Sequence, residues 1–207
     1  MVEIYLNNNL AFYLRTMLHV TTASNINDLQ QILVLQKKNL APNISKEEAI
    51  SQGFVTVNHS EEMLVMMHKL APSIVIKDDD IVVAYALTML CECKNLVPEL
   101  KTMFAGFDSL DWRGKRLNEY EYYVMGQICI DKAYRGRGLF ELLYQKHKEV
   151  YESAFDFIIT EVATRNTRSM KAHKRIGFET IHRYKDELDE WEVVVWDWKG
   201  HPPQLQI

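Results

Sequence analysis

The chain has 207 residues, of which 47% are hydrophobic, and this is enough for one sizeable core but marginal for two. Its formal charge of −4 gives no basic field of the kind that binds phosphates of nucleic acids, so nucleic acid is not an expected partner. Apolar runs such as Ile81 to Leu90 fall short of the roughly 20 residues that cross a bilayer, so we expect a cytoplasmic protein without a membrane contact.

The chain begins with a segment that has no regular period. Residues 1–16 show the period of neither regular element, and they are interpreted as an added hairpin or an N-terminal extension. A strand-like stretch then runs from Met17 to Thr22. Asn25 or Asn27 caps a helix after it, because apolar residues recur there at helical spacing.

Two further helices and a hairpin are predicted next. The segment 45–48 has the Ser-x-x-Glu form of a capping box, and Ser60 precedes another acid-rich first turn. Pro72 ends the second of these helices. The strand-like stretches Ile74 to Lys77 and Ile81 to Met89 flank three aspartates, which predicts two antiparallel strands.

The segment from Cys91 to Asn118 is too irregular for one long element. We predict a long loop that contains a short helix, and because such loops often contribute to binding, we expect a substrate to lie against it. The three cysteines, Cys91, Cys93 and Cys129, match no zinc spacing. They are interpreted as buried or idle thiols, and no metal site is predicted.

The second half of the chain alternates strand and helix, which implies parallel pairing through right-handed crossovers. The predicted elements are a strand Glu119 to Ile130, a helix Leu139 to Glu152, a strand Phe155 to Val162, a helix Thr167 to Ile176, and strands near Phe178 to Tyr184 and Trp191 to Trp198. The prediction is therefore an α/β chain with a mixed sheet covered by helices. It forms one domain over 17–200, followed by a tail at 201–207.

A glycine-rich turn joins the first strand of this half to its helix. The turn is Tyr134-Arg135-Gly136-Arg137-Gly138. A turn that enters a helix directs unpaired N–H groups and the positive end of the helix dipole at one point, which suits a phosphate. Glycine allows close approach, and the two arginines add cationic donors. The spacing matches neither a nucleotide-triphosphatase loop nor a dinucleotide motif, so alone it also fits a basic surface turn.

Two motifs in the correct order resemble the GNAT superfamily of acyl-CoA N-acyltransferases. The run from Ile128 to Leu139, which contains the glycine turn, is similar to the acyl-CoA motif of that superfamily. Asn166, followed by Ser169, Ala172, His173 and the pair Gly177-Phe178, resembles its second cofactor-proximal motif, in which Asn opens a helix and Gly-Phe closes it. The resemblance covers roughly residues 17–198.

This resemblance implies both a fold and a cosubstrate. The GNAT fold has a central, mostly antiparallel sheet of about seven strands with flanking helices, splayed here between the strand that ends near Ile130 and the strand that starts near Phe155. The cosubstrate is acetyl-CoA. Its implied contacts are Ile128, Cys129 and Ile130 for the pantetheine arm, the amides of Arg135, Gly136, Arg137, Gly138, Leu139 and Phe140 for the pyrophosphate, and Asn166 with Ser169. Phe140 departs from the family pattern, which has a small residue there, so the loop is expected slightly farther from the phosphates.

Acetyl transfer to an amine needs a base, because an ammonium group has no lone pair with which to attack. Glu161 shares a strand face with Phe157 and Ile159, and burial there would raise its pKa toward a useful value. The alternative is an outward-facing glutamate. The resemblance favours the base, since a Glu at this place serves as base in the branch that acetylates protein N-termini. Glu119 and Glu121 stay open as other sources of the base.

His173 lies on an inward-facing helix stripe with Ser169 and Ala172. The family usually has a Tyr at this position that protonates the departing thiolate, so His173 is a candidate acid, with a satisfied core histidine as the alternative. Four residues are candidates for the acceptor pocket or, alternatively, for the core and the sheet surface: Tyr120, Tyr122, Tyr123 and Gln127.

The sequence therefore predicts an N-acetyltransferase that moves acetyl from acetyl-CoA to a primary amine of a small molecule or peptide. The amine attacks directly in a ternary complex, without a covalent enzyme intermediate. The rival hypothesis is a GNAT-fold module that binds acyl-CoA as a sensor or partner platform without turnover. The expected partners are acetyl-CoA or CoA and the acceptor, and a homodimer is left open.

Overall fold

The computed structural model describes residues 18–45, 47, 53–95, 101–187 and 189–201. The N-terminal extension, most of the capping box predicted at 45–48, and residues 202–207 lie outside these ranges. Within them, no helix combines the length and the apolar character that a bilayer crossing requires.

The elements follow the predicted order closely. The strands of the main sheet are β1 (Leu18–Thr22), β2 (Ile74–Asp78), β3 (Ile81–Met89), β6 (Tyr122–Ile130), β7 (Phe157–Ala163), β8 (Glu179–Lys185) and β9 (Glu190–Asp197), and a small hairpin contains β4 (Asp111–Trp112) and β5 (Lys115–Arg116). The helices are α1 (Ile26–Asn39), α2 (Glu61–Leu70), α3 (Lys101–Phe107), α4 (Leu139–Tyr151) and α5 (Thr167–Ile176). Strand β6 begins later than predicted, because Leu117–Glu119 forms a 3₁₀ turn before it.

Side-chain caps fix the starts of three helices. The side-chain oxygens of Asn25, Ser60 and Asn166 each accept the backbone N–H of the residue three positions on. These bonds satisfy N–H groups that have no partner inside the helix. Gly177 ends α5 in the left-handed conformation, with φ of 112°. The polar residues that flank each apolar stretch therefore set where these helices begin and end.

The main sheet has the strand order β1-β2-β3-β6-β7-β9-β8. All neighbouring strands pair antiparallel except β6 and β7, which pair parallel. This is a seven-stranded, mostly antiparallel sheet, so the predicted fold class is confirmed.

Each face of the sheet has its own core. Ile32 of α1 and Leu64 of α2 belong to the core on one face, together with Phe157 of β7. Leu143 of α4 belongs to the core on the other face, together with Ile158 of β7. Phe157 and Ile158 enter opposite cores because successive residues of a strand point to opposite faces.

The sheet opens between its two parallel strands. Only Tyr122–Val124 of β6 pairs with β7, opposite Phe157–Ile159. Beyond this point the pairing of β6 with β3 shifts register, so that Gly126 and Gln127 oppose the single residue Leu87. Such a bulge bends the strand and increases its twist. The predicted splay is therefore present, and it begins where β6 bulges.

Candidate active site

The diverging halves of β6 and β7 enclose a cleft of about 870 Å³. The glycine turn, the start of α4, the segment 53–56 and Trp191 all contribute to its lining. The predicted residues that line it are Ile128, Cys129, Ile130, Arg135, Gly136, Gly138, Leu139, Phe140, Glu161, Asn166, Ser169 and His173. The fold thus brings nearly the whole predicted set together, with Arg137 outside the lining.

The glycine turn presents open backbone to the cleft. Gly136 and Gly138 both have φ of 76°, a conformation that side chains other than glycine rarely adopt. A β-carbon placed on either would meet no atom within 4 Å, so the space beside them is empty of protein. The N–H groups of residues 136–141 donate to no acceptor in the described part of the chain. They converge at the N-terminus of α4, a geometry that binds anions.

One edge of β6 offers main-chain groups along the cleft. The N–H of Asp131 donates to the carbonyl of Val83 on β3, at 2.8 Å. Because backbone groups alternate between the two edges of a strand, Ile128 and Ile130 direct theirs to the opposite edge, which faces the cleft. The Cys129 side chain lies in the core with Tyr85 instead. Burial raises the pKa of its thiol to about 12, so the thiol stays neutral.

The arginine side chains of the turn contact the protein. Arg135 donates from Nε to the carbonyl of Ile130, at 3.1 Å, and from its guanidinium to Oδ1 of Asn39, at 2.7 Å. Asn39 also accepts the N–H of Val55 through its carbonyl, at 3.1 Å. Arg137 lies over the ring of Tyr134. The Arg135 side chain therefore joins the turn to α1 and the 53–56 segment, whereas the sequence had suggested a phosphate donor.

Asn166, Ser169 and Phe140 form the wall between α4 and α5. The Asn166 side chain accepts the N–H of Ser169, at 3.1 Å, so its oxygen is committed to capping α5. Phe140 packs against the rings of Tyr144 and His173, each at 5.1 Å. The phenylalanine at the position of a small family residue thus turns toward the core, away from the turn's N–H groups.

Glu161 lies in a largely enclosed position two residues beyond the point where β7 stops pairing with β6. Burial raises the pKa of its carboxyl to about 7, although a hydrogen bond from the hydroxyl of Tyr184 lowers the pKa and the negative charge of Asp186 raises it. A carboxyl that titrates near neutral pH can accept a proton from an amine under physiological conditions. The prediction that burial raises this pKa agrees with the structure. The role as base stays a prediction.

His173 is buried, with 2% of its surface exposed. Its Nδ1 lies 2.9 Å from the carbonyl of Ser169, and its Nε2 lies 2.7 Å from the hydroxyl of Tyr144. Burial lowers the pKa of the ring to about 4, so it is neutral at pH 7. A neutral ring that donates from Nδ1 and accepts at Nε2 satisfies both contacts. This arrangement favours the core-histidine alternative over the catalytic acid.

Several other candidates lie away from the cleft. Glu119 accepts the N–H of Arg116, and Glu121 precedes β6 at the end where β6 and β7 are paired. Neither lines the cleft. The three candidate tyrosines, Tyr120, Tyr122 and Tyr123, pack in or against the cores. No described residue of the loop 91–118 lines this cleft, and Trp112 of the loop contacts Phe157 instead. The expectation that substrate lies against the loop stays a prediction.

Gln127, the fourth candidate for the acceptor pocket, lines the cleft and belongs to a buried polar network whose other members the sequence analysis missed. Gln127 accepts hydrogen bonds from Tyr85, at 2.6 Å, and from Gln36, at 2.9 Å. It donates to the carbonyl of Val57, at 3.0 Å. Gln36 in turn contacts His59 through both amide atoms. The network fixes the 53–60 segment to α1 and to the bulge of β6, and no local motif marks it in the sequence.

Two aromatic side chains of the cleft were also missed. Phe54 and Trp191 line it, and Trp191 pairs with Ala163, two residues after Glu161. The guanidinium of Arg165 lies over the Phe54 ring and forms an ion pair with Asp189 in the β8–β9 turn. Arg165 thus joins two segments that are far apart in the sequence.

A family model described as the acetyltransferase (GNAT) family matches residues 47–178, which is more than half of the chain. The chain belongs to the GNAT acetyltransferase family. No curated protein matches its sequence at a significant level.

Solved structures show the same fold as this GNAT protein at low sequence identity. The ribosomal-protein-S18-alanine N-acetyltransferase of Escherichia coli is 12% identical, with 86% of this chain and 91% of that chain covered and a TM-score of 0.54. The yncA protein of Salmonella typhimurium, solved with its cofactor acetyl-CoA, is 12% identical, with 91% and 98% covered and a TM-score of 0.58. The NatC complex bound to Gag peptide and CoA is 12% identical, with 87% and 98% covered and a TM-score of 0.56.

Proposed function

We propose that this protein transfers the acetyl group of acetyl-CoA to a primary amine of a small molecule or peptide. The observation that carries the proposal is one cleft with unpartnered amides at one end and a carboxyl of pKa about 7 at the other. The thioester supplies an activated acetyl group when acetyl-CoA is bound. Residues of the chain bind the cosubstrate and remove the proton of the amine.

The turn 136–141 binds the diphosphate in this proposal. Its N–H groups have no acceptor among the described residues, the space beside Gly136 and Gly138 holds no protein atom, and the dipole of α4 adds positive potential there. The cleft-facing groups of Ile128 and Ile130 hydrogen-bond the pantetheine arm as a neighbouring strand would. The Ile130 carbonyl is already taken by Arg135, so Ile128 is the main contact. Binding therefore depends on backbone positions more than on particular side chains.

Glu161 removes the proton from the acceptor amine. A lysine-like amine with a pKa of about 10.4 is almost fully protonated at neutral pH, and a nearby carboxylate converts it to a nucleophile. The amine attacks the thioester carbonyl directly, the C–S bond breaks and CoA leaves as its thiolate, so that no covalent enzyme intermediate forms, as the family resemblance implies. We assign His173 to the wall of the cleft, where it holds Tyr144 and the first turns of α5.

Calorimetric titration with acetyl-CoA, followed by a thiol-release assay over a panel of amines, tests the proposal. Acetyl-pantetheine, which lacks the diphosphate, is the matched control ligand. We expect acetyl-CoA to bind at least about 100-fold more tightly, because several charge-assisted hydrogen bonds are lost in the control. Turnover should appear with at least one amine of the panel.

The outcomes separate the two candidate functions. Failure of acetyl-CoA to bind at millimolar concentration contradicts the whole proposal. Tight binding without turnover on any amine supports the rival function, a GNAT-fold module that senses acyl-CoA. The contacts of His173 are the observation that favours this rival, because they leave the usual family acid without a counterpart on α5.

A further inference from the structure

Tyr184 reaches Glu161 across the strand that lies between them. On β9, Val193 pairs with Glu161 and Trp191 pairs with Tyr184. Because residues two apart on a strand face the same side, both side chains lie on one face of the sheet. The Tyr184 hydroxyl donates to Oε2 of Glu161 at 2.5 Å. The phenol therefore spans a whole strand to contact one carboxylate oxygen.

One further charge acts on Glu161 from the same hairpin. Asp186 follows Tyr184 by two residues, where β8 turns toward β9, and it accepts the N–H of Asp189 at 2.9 Å. The residues of β9 beside Glu161, Trp191 and Val193, are uncharged.

The remaining titratable groups around the cleft have partners or stay neutral. Arg165 forms an ion pair with Asp189, and His59 contacts Gln36. Across the cleft, Cys129 is neutral and Arg135 is bonded to Asn39. Two arginines of α5 also line the cleft on its cofactor side, Arg168 and Arg175, and Arg175 pairs with Glu141. The β8–β9 hairpin thus holds the groups that act most directly on Glu161.

We infer that Tyr184 is a positioning residue that holds the Glu161 carboxylate in place and stabilises its charge. The negative charge of Asp186 disfavours that ionised form. Together, these two residues of the hairpin set the pH range in which Glu161 works. The inference rests on the proposed function of Glu161. Because Oε2 accepts from Tyr184, Oε1 is the oxygen left to receive the proton of the amine. A fixed carboxylate is a better base than a rotating one, since the proton transfer requires a short, aligned contact.

The two residues act on ionisation with opposite signs. Burial raises the pKa of Glu161 to about 7, the Tyr184 hydrogen bond lowers that pKa, and Asp186 raises it. Loss of the hydroxyl therefore moves the acidic limb of the rate profile to higher pH. Loss of the Asp186 charge moves the limb to lower pH. A general loss of structure would not shift the acidic limb of the rate profile to higher pH in one variant and to lower pH in the other.

The test uses Tyr184→Phe and Asp186→Asn in the full chain. Asp186→Asn keeps an oxygen that can accept the Asp189 N–H. The matched control is Tyr120→Phe, which removes a hydroxyl bonded to the Trp112 carbonyl at the closed end of the sheet. The first readout is kcat/KM against pH on an amine found by screening. The second is the titration of the Glu161 side-chain carbon by ¹³C NMR, assigned with Glu161→Gln.

We expect Tyr184→Phe to move both the limb and the titration up by about one pH unit, because hydrogen bonds to charged groups are strong. Asp186→Asn should move them down by a few tenths of a unit, and less at high salt, because the charge is partly exposed. Tyr120→Phe should move neither.

Two results are decisive. If Tyr184→Phe lowers kcat/KM equally at every pH and the carboxyl titration does not move, the inference is wrong. If the titration moves as expected but no amine is acetylated, the coupling stands and the proposed function fails. The NMR readout keeps these two failures apart, because it does not depend on turnover.

Discussion

The two ends of the cleft are built in different ways. The end that we assign to the cofactor consists of backbone groups between residues 128 and 141, which a single strand, turn and helix hold in place. The end that we assign to the acceptor consists of side chains from four separate parts of the chain: α1, the 53–60 segment, β7 and the β8–β9 hairpin. The residues that form the first end are close together in the sequence, and those that form the second are far apart. The cofactor end is therefore expected to tolerate side-chain changes, and the acceptor end to depend on them.

Substitution of Glu161 should have the largest effect. We expect Glu161→Gln to lower kcat/KM by about 10²–10⁴-fold at pH 7.5, the usual range for loss of a general base. The dissociation constant for acetyl-CoA should change less than about twofold, because the proposed diphosphate site is the backbone of the turn 136–141 rather than Glu161. Steady-state kinetics and calorimetry on the same preparation measure the two quantities.

The free energy of unfolding of Glu161→Gln shows whether a loss of activity comes from a loss of folding. The raised pKa of Glu161 means that the folded state favours the protonated carboxyl, so its contribution is present below about pH 4.5 and is lost as pH rises through about 7. Glutamine does not ionise. Glu161→Gln should therefore be more stable than wild type by about 2 kcal/mol at pH 8, after allowance for partial exposure, and similar to it at pH 4.5. Equal turnover in the variant would exclude Glu161 as the base.

The glycine turn should give the next largest effect. We expect Gly138→Ala to weaken acetyl-CoA binding by about 10- to 100-fold, because the methyl group enters the space beside the turn and the left-handed backbone is strained. Calorimetric titration measures the change in dissociation constant.

Gly200→Ala is the matched control for the turn. Gly200 has φ of 67° and open space around it, so alanine costs similar backbone strain there, but Gly200 does not line the cleft. Its variant should bind acetyl-CoA as wild type does. Equal weakening in both variants would mean that strain alone, rather than contact with the diphosphate, explains the loss.

The same difference between the two ends explains what the sequence could predict. The glycine turn, its helix and the Asn166 cap are adjacent in sequence and depend on backbone chemistry, so a local motif identifies them. Glu161 could be placed on the correct strand face by alternation alone. Its partner Tyr184 could not, because the contact crosses β9 and depends on strand pairing that the sequence does not specify.

Two regions outside the local motifs show the limits of the sequence. The loop 91–118 is long and rich in aromatic residues, which favoured a binding role, and the structure packs one of these residues, Trp112, against Phe157. The 53–57 segment carries no motif, because its contacts depend on Gln36 and Gln127, which are far away in the chain. A bulge also changes the face on which Gln127 lies, and simple alternation does not predict bulges.

Substitution of His173 should have the smallest effect on activity. His173→Phe removes both ring contacts and leaves the Tyr144 hydroxyl buried without its partner, so it should cost about 2 kcal/mol at pH 7.5. Turnover at 25 °C should stay within about threefold, because no proton passes through the ring. Chemical denaturation and steady-state kinetics measure these changes.

Tyr144→Phe and the pH dependence sharpen this last test. Addition of Tyr144→Phe should recover part of the lost stability, because it removes the unsatisfied hydroxyl. The lowered pKa of His173 means that its contribution is present above about pH 6.5 and is lost as pH falls through about 4. The stability difference between wild type and His173→Phe should therefore narrow over that range. A fall in kcat of about 100-fold in a stable variant would instead identify His173 as the acid that protonates the departing thiolate. A side chain of α5 would then be essential for catalysis, in addition to the side chains of the acceptor end.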